Sequence, residues 1–112
     1  GAREGNYLES SATALFIYTL AKAVNKGYIG KDYIEPTRKA FDGMVKTFTR
    51  LEEDGSYTIT NCCAVAGLGG DSKRYRDGSF EYYISEPVIE NDPKSVGSFI
   101  LAAIEYEKMT DK

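Results

Sequence analysis

Ala12-Thr-Ala-Leu-Phe-Ile-Tyr-Thr-Leu-Ala-Lys-Ala-Val24 decides the fold. Ser10 and Ser11 stand just ahead of it, where short hydroxyl side chains can accept the first free N–H groups of a helix, and Gly27 supplies the stop. Wrapped as a helix, the stretch places Leu15, Phe16, Leu20 and Val24 on one side, while Ala14, Ile17, Tyr18 and Ala21 fill much of the rest. A helix that is apolar nearly all round is one buried on several sides.

Working outward, the segment from about Glu35 to Glu52 reads differently. Phe41, Met44, Val45, Phe48 and Leu51 recur at helical spacing, with Arg38, Lys39, Asp42, Lys46 and Arg50 on the other face. That pattern predicts a surface helix with one buried stripe, and Pro36 fits its first turn. Joined through Lys26-Gly-Tyr-Ile-Gly-Lys31, the two helices form a hairpin with one inner and one outer member. Asn91-Asp92-Pro93 opens a last helix with an N-cap and a proline at the first helical position. Val96, Phe99, Ile100, Ala103 and Ile104 continue it, again apolar over more than one face until Glu105.

Between the hairpin and the last helix the periodicity is lost. Asp54-Gly55 is a turn dipeptide, and Ser56-Tyr-Thr-Ile-Thr-Asn-Cys-Cys-Ala-Val65 is β-branched and aromatic, predicting a short strand or extended segment. Ala66-Gly-Leu-Gly-Gly-Asp71 and Arg76-Asp-Gly-Ser79 are glycine-rich loops. Phe80-Glu-Tyr-Tyr-Ile-Ser-Glu-Pro87 reads as a short extended piece, with Glu81 and Tyr83 on one face and Phe80 and Tyr82 on the other. The fold class is therefore mainly α: a helical hairpin plus a further helix, with a short extended or β segment between.

One amphipathic helix cannot sheathe two inner ones. With nine residues ahead of Ser10 there is no preceding element to supply the missing wall, so the chain is expected to pack against absent sequence or another copy of itself.

Composition narrows the function. The 112 residues suit at most one small domain, and 42% hydrophobic content is enough for a modest core. Fourteen Lys and Arg against seventeen Asp and Glu leave a net charge of −3, which argues against nucleic acid as a partner. There is no His and no Trp, so any chemistry runs on carboxylates, Tyr, Lys, Arg, the two Cys, or residues outside this chain. Cys62 and Cys63 are adjacent, which suits neither an ordinary disulfide nor a closed zinc site; they read as small buried side chains on a strand. The longest near-apolar run is interrupted by Thr13, Thr19 and Lys22, so no membrane span is expected, and no signal-peptide pattern opens the chain.

Gly67-Leu-Gly-Gly70 lacks the Lys-Ser/Thr of a phosphate-binding loop and fits a tight bend, though its glycines let backbone approach a ligand. Asp77, Glu81 and Glu86 lie near it, with Tyr82 and Tyr83 between them. Paired carboxylates would suit glycoside chemistry, yet acidic loop residues are ordinarily just solvated. Glu9, just ahead of the first helix, is a further candidate that the helix dipole alone would also explain.

Four motifs taken together carry a resemblance: Asn6-Tyr-Leu-Glu-Ser-Ser-Ala-Thr-Ala-Leu-Phe16, Ala66-Gly-Leu-Gly-Gly70, Tyr75-Arg-Asp-Gly-Ser-Phe-Glu-Tyr-Tyr-Ile-Ser-Glu-Pro87 and Asn91-Asp92. In order and spacing they resemble the C-terminal third of the unsaturated rhamnogalacturonyl hydrolases, glycoside hydrolase family 105, and more distantly the unsaturated glucuronyl hydrolases of family 88. The resemblance implies that residues 1–112 are the C-terminal part of an (α/α)6 barrel, with a substrate pocket at one end. It implies an Asp that protonates the C4=C5 double bond of an unsaturated uronic acid, after which water adds at C5 and the hemiketal opens. No metal or organic cofactor is implied, and the implied partners are an acidic oligosaccharide and the N-terminal part of the barrel. The family's catalytic Asp residues and its His and Trp pocket residues match nothing in this chain, so no catalytic residue is carried over. As pocket-lining candidates the resemblance implies Glu9, Gly69, Gly70, Tyr82, Tyr83, Glu86, Asn91 and Asp92. Two other classes stay open: a non-catalytic module that self-associates through its inner helices, and a carbohydrate-binding module using the tyrosines as platforms.

Overall fold

The computed structural model describes residues 2–71 and 73–111. Its elements are α1 (Ser10–Asn25), a 3-10 turn (Lys31–Tyr33), α2 (Ile34–Phe48), β1 (Thr49–Leu51), β2 (Tyr57–Ile59), β3 (Cys62–Cys63), α3 (Phe80–Ser85), β4 (Val88–Ile89) and α4 (Pro93–Thr110).

The N-cap of α1 is Glu9, whose carboxylate accepts from the N–H groups of Ser11 and Ala12 at 3.1 and 2.7 Å. The serines expected to cap it lie inside the helix, and Ser10 instead shares a 2.7 Å hydrogen bond with the Ser95 hydroxyl, both side chains being buried. Gly27 ends the helix as expected, at φ +71°. Its N–H donates to the Val24 carbonyl and that of Tyr28 to Ala23, closing two of the free carbonyls.

Hydrogen bonds at both ends fix the direction of packing. Ser10 meets Ser95 near the N-termini of α1 and α4, and Asn25 donates to the Glu105 carbonyl and carboxylate toward their C-terminal ends, at 2.8 and 2.9 Å. The two helices therefore run parallel. α2 returns antiparallel to α1: its last carbonyl, Phe48, accepts from Thr60 N–H at 2.8 Å, next to Asn61, whose carbonyl accepts from Ser10 N–H at the start of α1. The core joins Ala14 and Ile17 of α1, Met44 and Phe48 of α2, and Phe99 and Ala102 of α4. Phe41 and Tyr106 stack at 3.9 Å between ring centroids and tie α2 to α4.

The buried residues of α1 are Ser10, Ala14, Ile17 and Ala21, three of them small. The bulkier residues stay outside: Phe16 is 72% and Ile100 56% exposed, with Leu15, Leu101 and Ile104 also open. Close approach of two helices selects short side chains at the contact, which leaves the large ones for other neighbours.

Two readings change. The second helix stops at Phe48 rather than near Glu52, because Thr49, Arg50 and Leu51 pair with Ile59, Thr58 and Tyr57 in a hairpin around Asp54-Gly55. The strand expected over Ser56–Val65 is split at Asn61, whose φ of 58° is left-handed, and Cys62 and Cys63 pair instead with Ile89 and Val88. Both cysteines are free and buried.

Replacing Ser10 by Ala leaves the Ser95 hydroxyl buried without a partner and is expected to cost about 1–3 kcal/mol, whereas Ser10→Ala with Ser95→Ala costs less than the two single losses added together. Denaturant unfolding of the three variants checks this.

Candidate functional site

Because α1 and α4 run parallel, their N-terminal ends open on the same side, and the loop after Cys63 and helix α3 lie beside them. Two adjoining hollows result, sharing Ala66 and Tyr83. One, of about 300 Å³, is walled by Glu9, Ser11, Cys63, Tyr83 and Lys94. The other, of about 240 Å³, lies between the Gly67-Leu68 and Gly78-Ser79 limbs of the loop and the rings of Tyr82 and Tyr83.

Glu9 enters the first hollow with its oxygens already engaged. Besides the two helix N–H groups they accept from Ser11 Oγ at 2.7 Å and from Cys63 N–H at 3.0 Å. Burial pushes its pKa up, but the hydrogen bonds from Ala12, Ser11 and Cys63 outweigh that and hold it below the ordinary 4.5. The group is a carboxylate at neutral pH, not a proton donor.

Asp92 caps α4, accepting from Lys94 N–H at 2.8 Å. Lys94 folds back so that its Nζ donates to Asp92 at 2.7 Å and to the Ala64 carbonyl at 2.9 Å. The Lys94 ammonium and N–H hold the Asp92 carboxyl below its ordinary value.

The ring of Tyr83 is held by Tyr7, stacked at 5.6 Å and 3°. Burial, then the Cys63 and Tyr83 side chains, push the Tyr7 hydroxyl well above its ordinary value. Tyr82 accepts from Gly67 N–H at 3.1 Å. Beneath it Glu86 has no exposed side-chain surface and faces Arg74 at 2.7 Å and Arg76 at 3.6 Å. Burial raises the pKa of Glu86, but Tyr82, Arg74 and Arg76 together lower it.

Among the described residues the two hollows are lined by aromatic faces, hydroxyls, the Lys94 ammonium and the Glu9 carboxylate, which is held ionised. A family model described as Glycosyl Hydrolase Family 88 matches residues 1–110. The chain belongs to glycosyl hydrolase family 88. This family 88 chain is 39% identical over 105 residues to the 24.9 kDa protein in the picA locus of Rhizobium radiobacter. The match covers 90% of the chain and 45% of that relative, so the chain spans about half the length of the curated protein. Among solved structures, a family 105 glycoside hydrolase of C. acetobutylicum superposes with a TM-score of 0.90 at 45% identity, over 94% of this chain and 29% of that one. A possible family 105 member from Salmonella enterica superposes with a TM-score of 0.71 at 25% identity, over 98% and 25% respectively. The parallel inner pair with its antiparallel outer helix is thus part of an (α/α)6 barrel.

In the family 88 chain the expected pocket residues divide. Glu9, Tyr82 and Tyr83 line the hollows, and Asp92 reaches them through Lys94. Glu86 lies under the wall rather than on it. Gly69 bonds Arg76 in both directions at 2.8 Å, and Gly70 abuts the Arg74 carbonyl, so they shape the loop behind the lining. Asn91, at φ 52°, accepts from Ile59 N–H through its side chain, joining α4 to the hairpin. The segment 80–85 is the helix α3, not an extended strand: Ser79 Oγ accepts Tyr82 N–H at 3.0 Å and caps it. That removes the face-by-face alternation of Glu81 and Tyr83 against Phe80 and Tyr82.

Lys94 escaped the sequence reading although a signal was present. A lysine in the first turn of a helix opposes the helix dipole, so it needs a reason to be there, and the adjacent Asp92 is one.

Glu9 has a lowered folded-state pKa, so its contribution to stability is complete above the unfolded value near 4.5 and is lost as pH falls through the lower folded value. Glu9→Gln is therefore expected to lower the melting temperature at neutral pH and to flatten its fall in the acid range. Parallel melting temperature profiles for the two proteins would contradict this.

Proposed function

We propose that the chain is the C-terminal part of a glycoside hydrolase that removes an unsaturated uronic acid from lyase-generated pectic or related acidic oligosaccharides. The reaction is hydration of the C4=C5 double bond: a general acid protonates C4, water adds at C5, and the resulting hemiketal opens to release the neighbouring sugar. The observation that carries this reading is a wall suited to a sugar but lacking its acid. Tyr83 presents a ring held by Tyr7, and Ser11 and Lys94 present hydrogen-bonding groups. Glu9, Glu86 and Asp92 are all held ionised, below the range a neutral-pH acid requires. The proton donor then belongs to the remainder of the barrel, and the 112 residues alone are inactive.

A second reading rests on the open flank carrying Phe16 and Ile100, which suits a non-catalytic module that self-associates. Light scattering on the isolated chain separates the two, because a monomer at high concentration counts against self-association.

Loss of ultraviolet absorbance from an unsaturated galacturonyl-rhamnose disaccharide tests the reaction. Turnover is expected from the full-length protein and none from the 112-residue chain. Turnover by the chain alone would overturn the assignment of the acid, and a full-length protein inert toward unsaturated uronyl disaccharides would overturn the substrate class.

A further inference from the structure

Glu86 is buried at the end of α3 with no exposed side-chain surface, where a carboxylate is costly unless cations accompany it. Both cations come from one loop. Arg74 Nη2 donates to Oε2 at 2.7 Å, and Arg76 Nε lies 3.6 Å from Oε1. Tyr82, one of the groups that lower the Glu86 pKa, accepts from Gly67 N–H and so ties a third point of the loop to α3. Between these points the loop is folded on itself by the paired Gly69 and Arg76, and a Cβ on Gly70 would come within 2.5 Å of the Arg74 carbonyl. Gly67, Leu68 and Gly78 of this loop form one wall of the second hollow.

We propose that Glu86 is a positioning residue: through Arg74 and Arg76 it holds the loop residues 67–71 and 73–78 against α3 and so sets the shape of the wall that meets the sugar. The role rests on the hydrolase reading above. Glu86 touches no substrate, and its influence falls on binding rather than on the proton transfer.

Glu86→Gln removes the charge, and Arg74→Gln removes one partner whose side chain is 62% exposed, so that the second variant keeps the fold if the first does not. Both are made in the full-length protein. Subtilisin cleavage mapped by mass spectrometry is expected to be faster within residues 67–78 in each variant. KM for the unsaturated galacturonyl-rhamnose disaccharide is expected to rise about tenfold, with kcat within about twofold of the parent. Cleavage of the loop at the parent rate, or a fall in kcat with KM unchanged, overturns the proposal. A parent protein with no turnover removes the hydrolase reading instead, and the cleavage rates then still decide whether Glu86 holds the loop.

Discussion

The rest of the molecule depends on the close parallel contact of α1 with α4. Ala14, Ala21 and Ala102 let the backbones approach, and the Ser10–Ser95 hydrogen bond satisfies two buried hydroxyls at the end where the contact begins. That contact brings both N-termini to one side. Glu9 is thereby placed in the wall of a hollow that Asp92 reaches through Lys94, and Cys63 and Tyr83 complete that wall. A different register of the two helices would separate the caps and dissolve the site.

The carboxylates near the hollow are consumed by architecture. Glu9 accepts four hydrogen bonds, Asp92 caps α4 and pairs with Lys94, and Glu86 is enclosed by two arginines. Each is stabilised as an anion, which makes it a good structural group and a poor acid. Under the proposed hydrolase function, this part of the barrel would shape the wall and another part would supply the proton.

Much of this was legible in the chain. The all-round apolarity of residues 12–24, the amphipathic stripe of the second helix and Asn91-Asp92-Pro93 report the inner and outer helices because burial acts on composition directly. The misreadings occurred where short-range and long-range forces compete. Thr49 to Leu51 continue a helical stripe, but the Asp54-Gly55 turn commits the residues on both sides to a hairpin. Phe80 to Ser85 have strand-like aromatic composition, and the Ser79 cap together with packing of Tyr82 and Tyr83 turned them into a helix. The ties of Glu86 to Arg74 and Arg76 lie twelve and ten residues back, a distance at which no periodicity reports a contact.

The uncovered flanks of α1 and α4 have a consequence for symmetry. A segment cut from a closed ring of helices has two raw ends, and here one end presents Leu15 and Phe16 while the other presents Ile100, Leu101 and Ile104. The ends differ from each other, so a contact joining one to the other would be heterologous, head to tail, and not one across a two-fold axis. Such contacts close into a ring only when the rotation per copy divides the circle, and otherwise they propagate as a filament. A covalently continuous barrel avoids that choice, because its own chain presents each end with the one partner that completes the ring.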